Sequence, residues 1–195
     1  MSPGLTVFFV RHGETDWNAA HRLQGQIDVP LNGTGRSQAV RNGRVLKGLI
    51  RRLDAVDFVA SPLARTRETM EIVRAELGVK PGGFRVDARL KEIDFGHWEG
   101  RSWSELPVLD PIGYADREAN PFHWRPFGGE SYADLARRTL AWLQDLDRDT
   151  VVVSHGGVSR TLRGHILKLN SSDVPYLKVP QDKVLRLRAE GIAWL

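Results

Sequence analysis

Three short apolar runs, Thr6–Val10, Val56–Ala60 and Thr150–Ser154, constrain what this chain can fold into more than any other feature. Each is rich in β-branched or aromatic residues and shows little polar alternation. That pattern reads as a strand buried on both faces, as in a parallel sheet. Each is followed by a polar or glycine-containing turn and then by helical periodicity. Gly35–Arg52 follows the first, with Ala39, Gly43, Leu46 and Ile50 along one face. Ser61-Pro62 follows the second and predicts a helix start, a Ser cap with Pro in the first helical position. His155-Gly156-Gly157 follows the third and predicts a helix running to about Leu167. Another helix is expected over Tyr132–Asp145, with Ser131 and Asp134 as a capping pair and Leu135, Thr139, Leu143 and Leu146 at helical spacing. Val184–Leu195 predicts a hairpin turning near Glu190-Gly191. Residues 104–130, rich in Pro, Gly and aromatics, read as a functional loop holding at most a short helix. Strands alternating with helices predict an α/β fold: a three-layer sandwich with a mostly parallel central sheet flanked by helices, in a single domain over residues 1–195.

Composition narrows the class. The chain has 195 residues, 41% hydrophobic and 27% charged, which is ordinary for a soluble globular protein with a substantial core. There is no Cys, so disulfide scaffolds, thiolate nucleophiles and Cys-held metals are excluded, and a reducing cytoplasm is the expected compartment. The run Leu5–Val10 is too short for a signal peptide and has no basic segment before it, so the chain is expected to be unprocessed. No stretch approaches the roughly 18–20 apolar residues of a membrane span, so no membrane partner is expected. The net charge is +4 and the pI about 9.7. The arginines that carry it are spread along the chain rather than gathered in a tail, and no aromatic–basic motif accompanies them. Nucleic acid is therefore not an expected partner, and a small anionic substrate is.

In open α/β sheets, ligands gather at the carboxyl ends of the strands. Here the first strand runs into Arg11-His12-Gly13-Glu14-Thr15, the second into Ser61-Pro62-Leu63-Ala64-Arg65, and the third into His155-Gly156-Gly157. Two histidines and two arginines thus converge on one sheet edge from distant segments. Like charges crowd each other there unless an anion is bound. Phosphate is the natural guest, since guanidinium forks match its oxygens bidentately. An Arg-His-Gly triplet alone serves as well for a turn as for a site; it is the convergence that points to function.

These blocks together resemble the histidine phosphatase superfamily, in the branch of cofactor-dependent phosphoglycerate mutases and small phosphatases. The resemblance spans nearly the whole chain. It is carried by Phe9-Val10-Arg11-His12-Gly13-Glu14-Thr15-Asp16-Trp17-Asn18, by Leu23-Gln24-Gly25 with Pro30-Leu31-Asn32 and Gly35, and by Ser61-Pro62-Leu63-Ala64-Arg65-Thr66-Arg67-Glu68-Thr69. Leu90-Lys91-Glu92-Ile93-Asp94-Phe95-Gly96-His97-Trp98-Glu99-Gly100 and Val153-Ser154-His155-Gly156-Gly157 complete it. The resemblance implies that His12 is the nucleophile, taking the phosphoryl group on a neutral imidazole nitrogen that Arg11 and Arg65 keep unprotonated. It implies that both arginines hold the non-transferring oxygens, that His155 with the Gly156 amide adds a second electropositive contact, and that Asn18, Gln24 and Gly25 line the phosphate site. Glu92 is implied as general acid and base. The residues alone leave Glu14, Asp94 and Glu99 as rivals, and the Leu-x-Glu spacing of the family block decides for Glu92.

No cofactor and no metal is expected: His21, His97, His123 and His165 lack ligand spacing, and arginines supply the positive charge. His165, in mid-helix, is expected to pack or to face solvent. Trp124 and Phe127 are candidates for substrate contact, and Gly128-Gly129-Glu130-Ser131 for a turn that orders the loop beside the pocket. Mutases of the family carry a long basic insertion between the Glu block and the final His block. The interval from Gly100 to His155 is short here, which favours hydrolysis of a small phosphate monoester over mutase-type phosphoryl transfer, and the presence of both histidines, both arginines and a candidate acid speaks against a non-catalytic phosphate-binding regulatory domain. The terminal hairpin leaves a sheet edge through which copies of the chain could pair.

Overall fold

The computed structural model describes residues 4–195. Its six strands lie in the order β3-β2-β4-β1-β5-β6. These are β1 Val7–Arg11, β2 Asp57–Ala60, β3 Arg85–Val86, β4 Thr150–Ser154, β5 Val184–Arg188 and β6 Gly191–Trp194. The three apolar runs are the central strands β1, β2 and β4, paired in parallel, and the short β3 continues the parallel set. Strand β5 joins β1 antiparallel and turns back into β6, so the sheet is mixed, with its parallel part at the centre.

Alternation along these strands sends side chains to two cores. Val7, Phe9, Val59 and Val152 point to one face, against α6 (Tyr132–Gln144) and α7 (Gly156–Ile166) through Leu135, Trp142, Leu143, Val158 and Leu162. Phe8, Val10, Phe58, Val151 and Val153 point to the other, against α2 (Gly33–Leu49) and α3 (Ala64–Leu77) through Leu46, Met70, Val73 and Leu77. Helices on both faces of one sheet make the expected three layers.

The predicted elements match the observed ones with instructive exceptions. Helix α6 starts on a capping box, the Ser131 hydroxyl accepting from the Asp134 amide at 3.1 Å. Helix α3 does not start on Ser61-Pro62. Its cap position is Leu63, and its first amide, that of Ala64, is held by the Asp28 carboxylate at 2.9–3.0 Å. The capping oxygen comes from another loop, which frees the Ser61 hydroxyl. Residues 104–130 are not a loop with one short helix but carry two helices, α4 (Leu106–Leu109) and α5 (Pro111–Ala119). Asp110 caps α5 by accepting from the Gly113 amide, with Pro111 at the first position. The capping signal was there, but the two helices are short, and of their residues only Leu106 enters a core cluster, a small satellite with Leu23 and Trp98. The remaining helix, α1, is a single turn over Asp16–Ala19. No helix of the described residues is long and apolar enough to cross a membrane.

Candidate active site

Strand register places the site. Arg11 of β1 sits opposite Ser154 of β4, and Ala60 of β2 opposite Val153. The next residues, His12, His155 and Ser61, therefore emerge side by side at one end of the sheet. The His12 and His155 rings lie 5.2 Å apart at 62°. The His155 Nε2 contacts the Ser61 hydroxyl at 2.8 Å, and the fully buried Arg65, second residue of α3, donates to the His155 Nδ1 at 3.3 Å. Because a guanidinium can only donate, the His155 proton lies on Nε2.

His12 is buried, and its Nδ1 donates to the Gly13 carbonyl at 2.8 Å. This fixes the tautomer, leaving Nε2 as the basic nitrogen. Burial is the largest influence holding the His12 imidazole well below its usual pKa, followed by Arg65 and then Arg11. The same causes hold His155 down: burial first, then Arg65, then His12. Arg11 is lowered to about 10 by burial and then by Arg160.

The arginines are pinned at their ends. Arg11 donates one Nη1–H to the Val179 carbonyl at 2.7 Å, and Arg65 gives Nη1 and Nη2 to the Ile27 and Gly25 carbonyls at 2.7 and 2.8 Å. The Nε of each is buried with no acceptor among the described residues. An unpaired buried donor is costly, and an anion would satisfy both.

These groups border a cleft of about 980 Å³. Of the residues expected at the site, Arg11, His12, Asn18, Gln24, Gly25, Arg65, Glu92 and Gly156 line it. His155 does not: it lies fully buried behind His12 and Arg65. Asn18 is aimed by Gln181, whose Nε2 donates to the Asn18 Oδ1 at 3.0 Å and to the His12 carbonyl at 3.1 Å. The Asn18 amide NH₂ thereby remains a donor. Gly25 has φ +51, and a Cβ there would fall 1.8 Å from the Glu99 carboxylate. Glycine is needed at that turn, and its carbonyl orients Arg65.

The rival acids separate by geometry. Glu99 is raised by burial and spends Oε1 on the amides of Gln26 and Phe95 at 2.8 and 3.3 Å, bracing the Gln24-Gly25 turn away from the cleft. Asp94 accepts from the Gly96 amide at 2.8 Å and is also off the cleft wall. Glu14 lines the cleft but accepts from Asn32 at 3.0 Å. Glu92 lines it with Oε1 held by the amides of Ile93 and Gly157 at 2.9 and 3.0 Å. A Cβ at Gly157 would lie 2.4 Å from that oxygen, so the glycine at the start of α7 makes the approach possible.

Sequence reading missed much of the cleft wall. Arg160, His21, Arg22, Trp103, Tyr114, Arg117, Tyr132, Tyr176 and Gln181 all line it. Arg160, five residues after His155, is legible in retrospect as the next turn of the same helix; the aromatics of residues 103–176 are not, since folding brings them there. Trp124 and Phe127, the expected contacts, lie elsewhere. Trp124 packs 4.3 Å from Trp98 in the satellite cluster, and Phe127 is 85% exposed away from the cleft. His165 is exposed. The Gly128-Gly129-Glu130-Ser131 turn acts through Glu130, which pairs with Arg138. Arg138 in turn holds the carbonyls of Arg89, Lys91 and Glu92 at 2.6–2.9 Å. Among the described residues no group of three His, Asp or Glu is arranged to hold a metal ion.

The chain matches known proteins over nearly its whole length. Residues 7–195 match the family model of the histidine phosphatase superfamily (branch 1). A glucosyl-3-phosphoglycerate phosphatase of Mycobacterium tuberculosis (strain CDC 1551 / Oshkosh) is 34% identical over 182 residues, 86% of this chain and 78% of that protein. A Salmonella paratyphi C (strain RKS4594) protein named "Probable phosphoglycerate mutase GpmB" is 33% identical over 197 residues, 98% of this chain and 88% of its own. The structure of a mycobacterial glucosyl-3-phosphoglycerate phosphatase complexed with VO3 superposes with a TM-score of 0.81 at 30% identity, over 98% of this chain and 97% of that one.

Proposed function

The chain belongs to branch 1 of the histidine phosphatase superfamily, and from that premise we propose that it is a phosphomonoesterase acting on small phosphorylated metabolites through a phosphohistidine on His12. The observation that carries the reading is the His12 Nε2, a basic nitrogen of a neutral buried ring, set in one cleft with two buried, unpartnered arginine N–H groups.

The chemistry follows from those positions. The His12 Nε2 lone pair attacks phosphorus as the bond to the ester oxygen breaks. Arg11, Arg65 and the Asn18 amide hold the non-transferring oxygens, whose charge is stabilised through the transition state. Glu92 gives its proton to the departing alkoxide. It then takes a proton from water, whose oxygen bonds phosphorus as the bond to Nε2 breaks and phosphate is released. His155 accepts from Arg65 in the resting site, and it reaches a phosphoryl oxygen by releasing Arg65 and carrying its proton on Nδ1, with the Ser61 hydroxyl then donating to Nε2. Gln24 and Gly25 close the site on the side of the first loop. No step calls for a metal or cofactor.

We read the chain as one domain working in the cytoplasm, without nucleic acid, with β6 as the edge through which copies would pair. The short interval before β4 and the name of the mycobacterial relative favour hydrolysis. The name of the Salmonella relative supports transfer as the second reading. Glucosyl-3-phosphoglycerate and the phosphoglycerates are the first esters to try.

The test is release of inorganic phosphate from p-nitrophenyl phosphate and from a panel of metabolite esters, all in chelator. His12→Ala is expected to retain below about 1% of the wild-type rate, the nucleophile being irreplaceable. A larger residual rate, a requirement for one divalent ion, or isomerisation without phosphate release would each overturn the corresponding part of the reading.

A further inference from the structure

The segment Leu177–Gln181 is a strap that runs from a 3₁₀ helix, Ser171–Tyr176, toward the start of β5. Strand β5 is antiparallel to β1, with Val184 opposite Val10. The approach to β5 therefore lies over the end of β1 from which Arg11 and His12 emerge. A parallel neighbour would be entered from the opposite end of the sheet. Carbonyls of the strap take up side chains around the site. That of Leu177 accepts from the Arg160 Nε at 2.8 Å, and that of Val179 from the Arg11 Nη1 at 2.7 Å. The Gln181 carbonyl accepts from the Nδ2 of Asn42, fully buried in α2, at 2.9 Å, which anchors the strap to the helix layer. Pro180 restricts the backbone between the Arg11 contact and Gln181.

The Gln181 side chain carries the same strap inward. Its Nε2 has two N–H groups, one directed at the His12 carbonyl at 3.1 Å and the other at the Asn18 Oδ1 at 3.0 Å. The His12 carbonyl can only accept, so the amide atom beside it is the nitrogen. Both its protons are then spent, and the remaining oxygen repels an anion. Gln181 lines the cleft, yet it has nothing to donate to a phosphoryl group. Asn18 is the reverse. Its Oδ1 takes Gln181 and, at 3.3 Å, the Thr15 amide at the cap of α1. The two N–H groups are what it has left for a ligand. The Thr15 contact is the longer and comes from the same turn of helix, so Gln181 is what ties that turn to the nucleophile.

We propose that Gln181 is a positioning residue for phosphoryl transfer: it locks the Asn18 amide to the His12 carbonyl, so that the Asn18 N–H groups meet the non-transferring oxygens at a set distance from the His12 Nε2. It acts through Asn18 and touches no substrate atom itself. This rests on the phosphomonoesterase reading above. The non-transferring oxygens stay on phosphorus whichever group departs, so loss of Gln181 slows good and poor leaving groups by the same factor.

The measurement is kcat/KM on p-nitrophenyl phosphate and on glycerol 2-phosphate, with inhibition by orthovanadate as a second reading of how the phosphoryl oxygens are held. Asn18→Ala is expected to lose about 10- to 100-fold on both esters, the worth of a hydrogen bond to a charged group. Gln181→Met should lose about fivefold or more on both, and weaken orthovanadate in step. Gln181→Glu keeps the shape but sets acceptors against Asn18 and His12, and should lose at least as much. In an Asn18→Ala background, Gln181→Met should cost less than about twofold, because the group it acts through is gone. Gln181→Ser takes the place of the Met variant if that one does not fold. Losses that multiply in the double variant overturn the inference, since Gln181 would then act independently of Asn18. A wild-type rate in Gln181→Met overturns it too, as does a loss confined to glycerol 2-phosphate, which would group Gln181 with the general acid. These outcomes leave the phosphatase reading intact. A wild type that hydrolyses no ester overturns that reading, and this inference with it.

Discussion

Glu92 uses its two oxygens differently. The Ile93 and Gly157 amides hold Oε1, and Oε2 has only a longer 3.3 Å contact with Gly157, which leaves it the freer of the two for proton transfer. Glu92→Gln keeps an acceptor for both amides and removes only the transferable proton. Hydrolysis of alkyl phosphates, whose alkoxides depart poorly, should fall by about 10²- to 10⁴-fold. The burst of nitrophenolate from p-nitrophenyl phosphate should be slowed far less, since that group leaves without help. Pre-steady-state kinetics on both ester types checks this, with Glu14→Gln alongside. Equal slowing of the burst would make Glu92 structural, and the leaving-group signature appearing in Glu14→Gln would move the role there.

A helix start is the element on which the acid rests. Helix α7 opens on two glycines, and the second gives its amide to Glu92 at 3.0 Å because it carries no side chain. A methyl at position 157 would meet the Glu92 oxygen at 2.4 Å and the Leu135 side chain at 2.9 Å. Gly157→Ala should therefore displace the carboxylate, and its kinetics should mimic Glu92→Gln: an alkyl phosphate rate down by about tenfold or more with a smaller loss on p-nitrophenyl phosphate. If both rates fall together, the glycine serves packing against Leu135 and not the position of the acid. The loop before α3 follows the same logic with a longer reach, since Asp28 caps that helix and Ser61 is thereby available to His155.

For the whole molecule, two buried neutral histidines tie stability to pH. The unfolded chain protonates both near 6.5, while the folded chain resists because burial and the arginines hold both rings well below that value. Below about pH 6.5 the unfolded state binds more protons, so stability falls as pH falls, by up to about 1.4 kcal/mol per pH unit for each histidine. Above that pH the two rings contribute no slope. Thermal or urea melts between pH 8 and pH 5 should show this loss, and His12→Gln with His155→Gln should flatten it. A bound anion favours the protonated rings, so inorganic phosphate should restore part of the acid stability of the wild type. An unchanged slope in the double variant would show that other groups set the acid limit.

The sequence by itself determined the central sheet, because five-residue β-branched runs are stable only when buried on both faces. It likewise determined the capping box of α6, the terminal hairpin, and the pairing of Arg11-His12 with His155 at neighbouring strand ends. Those features depend on local periodicity and on the rule that strand ends converge. Only the tertiary structure decided the rest. A carboxylate 36 residues away caps α3 at Ala64, and the short helices α4 and α5 pack over a small satellite cluster rather than on the main sheet. Trp103 rather than Trp124 faces the cleft, His155 sits behind Arg65 rather than on the wall, and Arg160 comes beside Arg11 across Gly156. Each of these depends on the distance and direction between segments far apart in the chain. Spacing along a sequence carries no such information until the strands have paired and the helices have packed.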